Sequence, residues 1–190
     1  MIFFCGFAII EMVINMIMIS IMDIPRGGQH EHAHRLLGEC LSKLDISSDV
    51  NSMAIGEHGK PYLVNYPDVH FNLTHSNGIA ACIVSRRECG IDAERVRKRP
   101  EKVLRRVFSE RERRTIEGLP YEERDLYFFR LWTLKEAYVK MLGIGISYPM
   151  REVEFNIENG CISANIDDCR FTQHILDGGE YVVSVCVRNT

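Results

Sequence analysis

The chain has 190 residues, with 23 Lys and Arg against 26 Asp and Glu, a formal charge of −3 and 46% apolar residues. This balance excludes a disordered chain, a collagen-like chain and a uniformly basic nucleic-acid binder. The length suits one large domain or two small ones, and either can bury a core.

Met1 to Met22 is mostly apolar, and about 20 such residues can cross a bilayer. Glu11 and Asn15 near its middle oppose a membrane span, and the absence of Lys or Arg before Arg26 opposes a signal peptide. The stretch is read as buried structure with a strand over Ile2–Ile10; Met12, Met16, Met18 and Met22 also leave room for a later start. His34–Leu44 has Leu36, Leu37, Cys40, Leu41 and Leu44 at helical spacing. Strands are expected at 62–65, 69–74, 79–85 and 90–94, with a turn at His75-Ser76-Asn77-Gly78. Pro100 opens a helix, and Ser109-Glu110-Arg111-Glu112 is a capping-box sequence for the next. A long helix follows from Glu123 to about Leu142, stopped by Gly143 and Gly145. Beyond it an antiparallel meander is expected over 152–157, 161–166, 170–176 and 181–188. Helices and hairpins alternate without βαβ units, so the class is α+β. Seven cysteines with no Cys-x-x-Cys spacing read as scattered small apolar residues of a reducing compartment, hence a cytoplasmic location.

In Gly90-Ile91-Asp92-Ala93-Glu94, strand alternation puts Asp92 and Glu94 on one face. Such a pair is either an exposed acidic face balanced by Arg95 or an oxygen site for a hard cation such as Mg²⁺. In the long helix, Trp132, Glu136 and Lys140 share one side, with Lys135 and Phe128 beside them, while Leu131, Leu134, Ala137, Tyr138 and Met141 fill the other. The polar side is either a solvated face with an i,i+4 ion pair or a third carboxylate ligand flanked by phosphate-binding lysines. Gly59-Lys60-Pro61 presents a lysine on a turn, and Thr74-His75-Ser76 ends a strand with two hydroxyls and an imidazole. His30, His32 and His34 alternate, with no soft ligand clustered nearby. From Arg86 to Arg114 there are 12 Lys or Arg and 6 Asp or Glu, a basic segment that would steer an acidic partner. No nucleic-acid motif accompanies it, so an acidic protein fits better than nucleic acid.

Together these segments resemble the 4′-phosphopantetheinyl transferases of the Sfp-like type. The likeness rests on Gly59-Lys60-Pro61, Phe71-Asn72-Leu73-Thr74-His75-Ser76, Gly90-Ile91-Asp92-Ala93-Glu94, Phe108-Ser109 with Glu112, and Trp132 to Lys140, in the family order, with His34-Arg35 ahead of them. The resemblance implies two similar α+β halves related by pseudo-twofold symmetry, residues 1–85 and 86–190, with one site between them. It implies Mg²⁺-dependent transfer of the phosphopantetheine arm of coenzyme A to a serine of an acidic apo carrier protein; a chain carrying both halves can work as a monomer, and no membrane partner is expected. A non-catalytic coenzyme A or carrier-protein binding module is the alternative.

By the same resemblance Asp92, Glu94 and Glu136 hold the metal. Lys140 and Lys135 reach phosphate oxygens, Thr74 and His75 contact the coenzyme's phosphates, and Lys60, Pro61 and Arg35 serve its nucleotide end. Glu136 or Glu112 takes the serine proton, although the capping box gives Glu112 a structural role of its own. The sequence departs from the family in having Thr at 74 where Ser is usual, an apolar Leu36, and Arg26 as the one basic residue before Arg35.

Overall fold

The computed structural model describes residues 2–4, 7–12, 15–21, 28–46 and 53–190. In chain order the strands are β1 (Ile2–Phe4), β2 (Phe7–Met12) and β3 (Asn15–Ile21), followed by helix α1 (Gln29–Lys43). Next come β4 (Met53–Ile55), β5 (Pro61–Leu63), β6 (His70–Ser76), β7 (Ile79–Ser85) and β8 (Cys89–Arg95). Helices α2 (Glu101–Val107), α3 (Glu110–Gly118) and α4 (Arg124–Leu142) precede β9 (Phe155–Glu158), β10 (Cys161–Ala164), β11 (Cys169–Leu176) and β12 (Tyr181–Arg188).

Two antiparallel sheets carry the site, one ordered β1-β2-β3-β7-β6 and the other β11-β12-β8. The course strand–helix–strand–strand occurs twice, as β3-α1-β6-β7 and β8-α4-β11-β12, each time with the last strand in the middle. Every residue of β7 is buried, which is why Ile79–Val84 reads as a continuous apolar run rather than an alternating one. One face of that run packs with Met16, Met18 and the Leu36–Leu41 face of α1. The other, through Ile79, Ala81 and Ile83, meets Ile91, Ala93, Val183 and Val185 of the second sheet. Helix α4 covers the far side of that second sheet, against β8 and β12.

Three expectations are corrected. The stretch 2–10 is not one strand, because Phe4 pairs antiparallel with Phe7, and the reversal makes two strands that extend the first sheet beyond β3. Among the described residues, no helix is long and apolar enough to cross a membrane. The C-terminal strands do not form one meander: β9 and β10 pair only as a hairpin, while β11 and β12 join β8. The β9–β10 turn has Asn159 and Gly160 both at positive φ, the geometry an Asn-Gly hairpin favours. Finally, α4 does not have one buried and one wet face. Phe128, Lys135 and Val139 are buried along with Leu131, Leu134 and Ala137, since α2, α3 and β9 supply a second core on that side.

Candidate active site

Strand β8 lies at the edge of its sheet, so some of its N–H groups have no strand partner on that side. Side chains of β6 supply acceptors instead: Asn72 Oδ1 takes the Ile91 N–H at 2.9 Å, and Thr74 Oγ1 takes the Ala93 N–H at 3.3 Å. The same registration aligns hydroxyls with carboxylates. Thr74 donates to Asp92 Oδ1 at 3.2 Å, and Ser76, two residues on, donates to Glu94 Oε2 at 2.8 Å.

On its other side β8 is pressed onto α4 at Gly90. A Cβ there would lie 2.0 Å from the Ala137 carbonyl oxygen and 2.4 Å from the Met141 nitrogen. That contact brings the last turns of α4 over Asp92. Lys140 Nζ donates to Asp92 Oδ1 at 2.6 Å and to Thr74 Oγ1 at 3.1 Å. Glu136, one turn earlier, is pushed up to about 7, first by burial and then by the Asp92 charge, with Lys140 opposing and Glu94 adding to the rise. Burial likewise raises Asp92, against the pull of Lys140. The structure therefore gathers Asp92, Glu94, Glu136, Lys140 and Thr74 from three elements.

Among the described residues, no group of three or more His, Cys, Asp or Glu is arranged so that it could hold a metal ion. In donor type the three carboxylates nevertheless suit a hard cation. Asp92 Oδ2 is buried without a hydrogen-bond partner, and the Asp92 and Glu94 charges both push Glu136 up, a combination that an oxygen-seeking divalent ion would relieve.

Other expected residues are placed differently. Lys135 is not a phosphate ligand in this arrangement. It is 1% exposed, pairs with the equally buried Glu112 at 2.9 Å, and donates to the carbonyls of Met150 and Val153. Glu112 is correspondingly unsuited as a base. Its Oε2 also accepts from the Ser109 N–H at 2.9 Å, completing the capping box, and its Oε1 accepts from the Phe155 N–H at 2.9 Å. The pair ties α3, α4 and the start of β9 together. Lys60 Nζ donates to the carbonyls of Met141 at 2.7 Å and Cys89 at 3.2 Å, so it neutralises the C-terminal end of α4 instead of facing open solvent. Lys60 and Pro61 still line a cleft of about 410 Å³ with His58, Asn72, Glu136 and Lys140.

Arg35 donates to His32 Nδ1 at 2.6 Å. Helical rotation separates the alternating histidines: His32 is buried, while His30 stacks toward His34 at 4.5 Å between ring centres and lies 6.0 Å from His75. Burial, His30 and Lys140 all lower His75. Two groups were not anticipated from sequence. Arg97 donates to Glu94 Oε2 at 2.7 Å, and Gly90 sets the strand–helix approach. Their signals were the i,i+3 spacing of Glu94 and Arg97 and the glycine that opens the Asp-x-Glu strand.

The sequence model of the 4′-phosphopantetheinyl transferase superfamily matches residues 88–186, the span from β8 through β12 that holds both site carboxylate segments. The chain is 31% identical over 169 residues to 4′-phosphopantetheinyl transferase Sfp of Bacillus subtilis (strain 168), covering 82% of this chain and 75% of that protein. It is 33% identical over 136 residues to 4′-phosphopantetheinyl transferase psf-1 of Bacillus pumilus, covering 69% and 58%. Among solved structures, the holo-[acyl-carrier-protein] synthase of Thermotoga maritima is 26% identical with a TM-score of 0.45, covering 54% of this chain and 62% of that one. The family match across the β8-to-α4 site and the Bacillus relatives lead to one conclusion: the chain belongs to the 4′-phosphopantetheinyl transferase superfamily.

Proposed function

We propose that this protein transfers the 4′-phosphopantetheine arm of coenzyme A to a serine hydroxyl of an acidic apo carrier protein, releasing adenosine 3′,5′-bisphosphate, in a Mg²⁺-dependent reaction. The observation that carries the reading is the crowding of Asp92, Glu94 and Glu136 around Lys140 and Thr74. In the reaction, the serine oxygen bonds to the phosphorus that bears pantetheine, the bond from that phosphorus to the bridging oxygen breaks, and serine loses its proton. Such a step asks mainly for positioning and charge neutralisation.

Mg²⁺ held by Asp92, Glu94 and Glu136 would supply a Lewis acid for the diphosphate. Lys140 is 28% exposed on its side chain, so its ammonium can exchange Asp92 for a phosphate oxygen. Thr74 and His75 stand beside it at the end of β6 to contact the coenzyme's phosphates. With Glu112 held in its ion pair, Glu136 is the group that accepts the serine proton. The cleft wall at Lys60 and Pro61 takes the nucleotide end, and Arg35 of α1 would assist it. The basic segment 86–114 docks the acidic carrier. The site falls between the halves 1–85 and 86–190, which lets one chain act as a monomer.

The test is mass spectrometry of an apo carrier protein incubated with this protein, coenzyme A and Mg²⁺. The carrier should gain one phosphopantetheine group, and chelation or Asp92→Ala should abolish the gain. Binding of coenzyme A without any gain on several carriers would mark a non-catalytic binding module instead.

A further inference from the structure

The two strand carboxylates are neutralised by different cations. Asp92 is matched by Lys140 from α4, a residue of the proposed chemistry. Glu94 is matched by Arg97, which lies two residues beyond the end of β8 and has no place in that chemistry. The Arg97 guanidinium is fixed on three sides. One nitrogen donates to Glu94 Oε2 at 2.7 Å and to the Arg95 carbonyl at 3.0 Å, and the group lies 4.9 Å from the centre of the Phe129 ring. Ser76 occupies the same Glu94 oxygen at 2.8 Å. That oxygen is therefore already served by a resident cation and a hydroxyl, and a metal ion bound at Glu94 shares the carboxylate's charge with that cation.

We propose that Arg97 is the built-in counter-cation of Glu94 and sets the divalent-cation affinity of the site by competing for that carboxylate. The proposal rests on reading Asp92, Glu94 and Glu136 as the cation site. The exchange is feasible because the Arg97 side chain is 55% exposed while Glu94 is 17% exposed. A displaced guanidinium keeps the Arg95 carbonyl and the Phe129 face as anchors, beside a cleft lined by Ser76, Asn77, Arg95 and Val96. Arg97 is thus a positioning residue whose effect on the cation runs through Glu94. Arg95 is a built-in control. It carries the same charge two residues away, but its guanidinium pairs with Glu180 over the Tyr181 ring.

The experiment is titration of Mn²⁺ into the protein without coenzyme A or carrier, read by the loss of free-ion electron paramagnetic resonance signal. Arg97→Gln should bind Mn²⁺ more tightly, by up to about fivefold, the most that a partly exposed ion pair supplies. Arg95→Gln should leave the affinity nearly unchanged, because its guanidinium pairs with Glu180 and not with a carboxylate of the cation site. Asp92→Ala added to Arg97→Gln should abolish the binding. Equal tightening by Arg97→Gln and Arg95→Gln would reduce the effect to net charge and overturn the proposal, as would unchanged or weaker binding by Arg97→Gln. Wild-type protein that takes up no Mn²⁺, or uptake that survives Asp92→Ala, would overturn the cation-site reading itself and the proposal with it.

Discussion

Lys135→Met separates a structural lysine from a substrate-binding one. The wild-type ammonium pairs with Glu112 at 2.9 Å where both side chains are 1% exposed, and it also serves the carbonyls of Met150 and Val153. Methionine fills similar volume but leaves Glu112 buried without its ammonium, holding only the N–H groups of Ser109 and Phe155 among these partners. Removing one partner of a buried pair costs about 3–5 kcal/mol. At about 2–4 °C per kcal/mol for a chain of this size, the melting temperature should fall by about 6–20 °C. Urea unfolding gives the free energy, with the slope checked for two-state behaviour. Replacing both partners, Glu112→Gln with Lys135→Met, should recover a large part of the loss, because no buried charge is then left unpaired. A Lys135→Met protein with the wild-type urea midpoint and weakened coenzyme A binding would refute this reasoning and return the lysine to the substrate.

Three further outcomes are expected. Gly90→Ala places a Cβ 2.0 Å from the Ala137 carbonyl and should cost about 3 kcal/mol or more by urea unfolding, whereas Gly38→Ala, with open space around its Cβ inside α1, should gain about 0.5–1 kcal/mol. Glu136 stands at about 7 in the fold against 4.5 ordinarily. The native state thus binds that proton more tightly, and its contribution is present below pH 4.5 and lost as pH rises through 7. In chelator, Glu136→Gln should therefore exceed wild-type stability at pH 8, by up to about 3 kcal/mol, with the gap closing toward pH 5 in parallel melts. Lys140→Ala removes the ammonium shared by Asp92 and Thr74 and should slow phosphopantetheine transfer by about 10²–10³-fold in a carrier mass assay.

Local signals survived folding where the deciding interaction is short-range. The capping box at Ser109 and Glu112 forms as written, α4 ends at Gly143 in the left-handed conformation, and Ile79–Ser85 and Tyr181–Arg188 are strands to the residue. Each depends on neighbours within a few positions, on backbone freedom at one glycine, or on an apolar run. The Asp-x-Glu alternation likewise sends both carboxylates to the side where Thr74 and Ser76 meet them, as strand period alone requires.

What sequence by itself determined was thus most of the helices and strands from α1 onward and the α+β class. Only the tertiary structure decided which charges are wet. Lys135 and Lys140 are five residues apart on one helix, yet one lies in a second core closed by α2, α3 and β9, and the other opens on the cleft. Periodicity cannot distinguish them, because burial of a helix face depends on what chain arrives later to cover it. The same holds for Gly90, whose need to be glycine comes from a helix carbonyl 47 positions away, and for Arg97, whose guanidinium is steered onto Glu94 by the Phe129 ring beneath it.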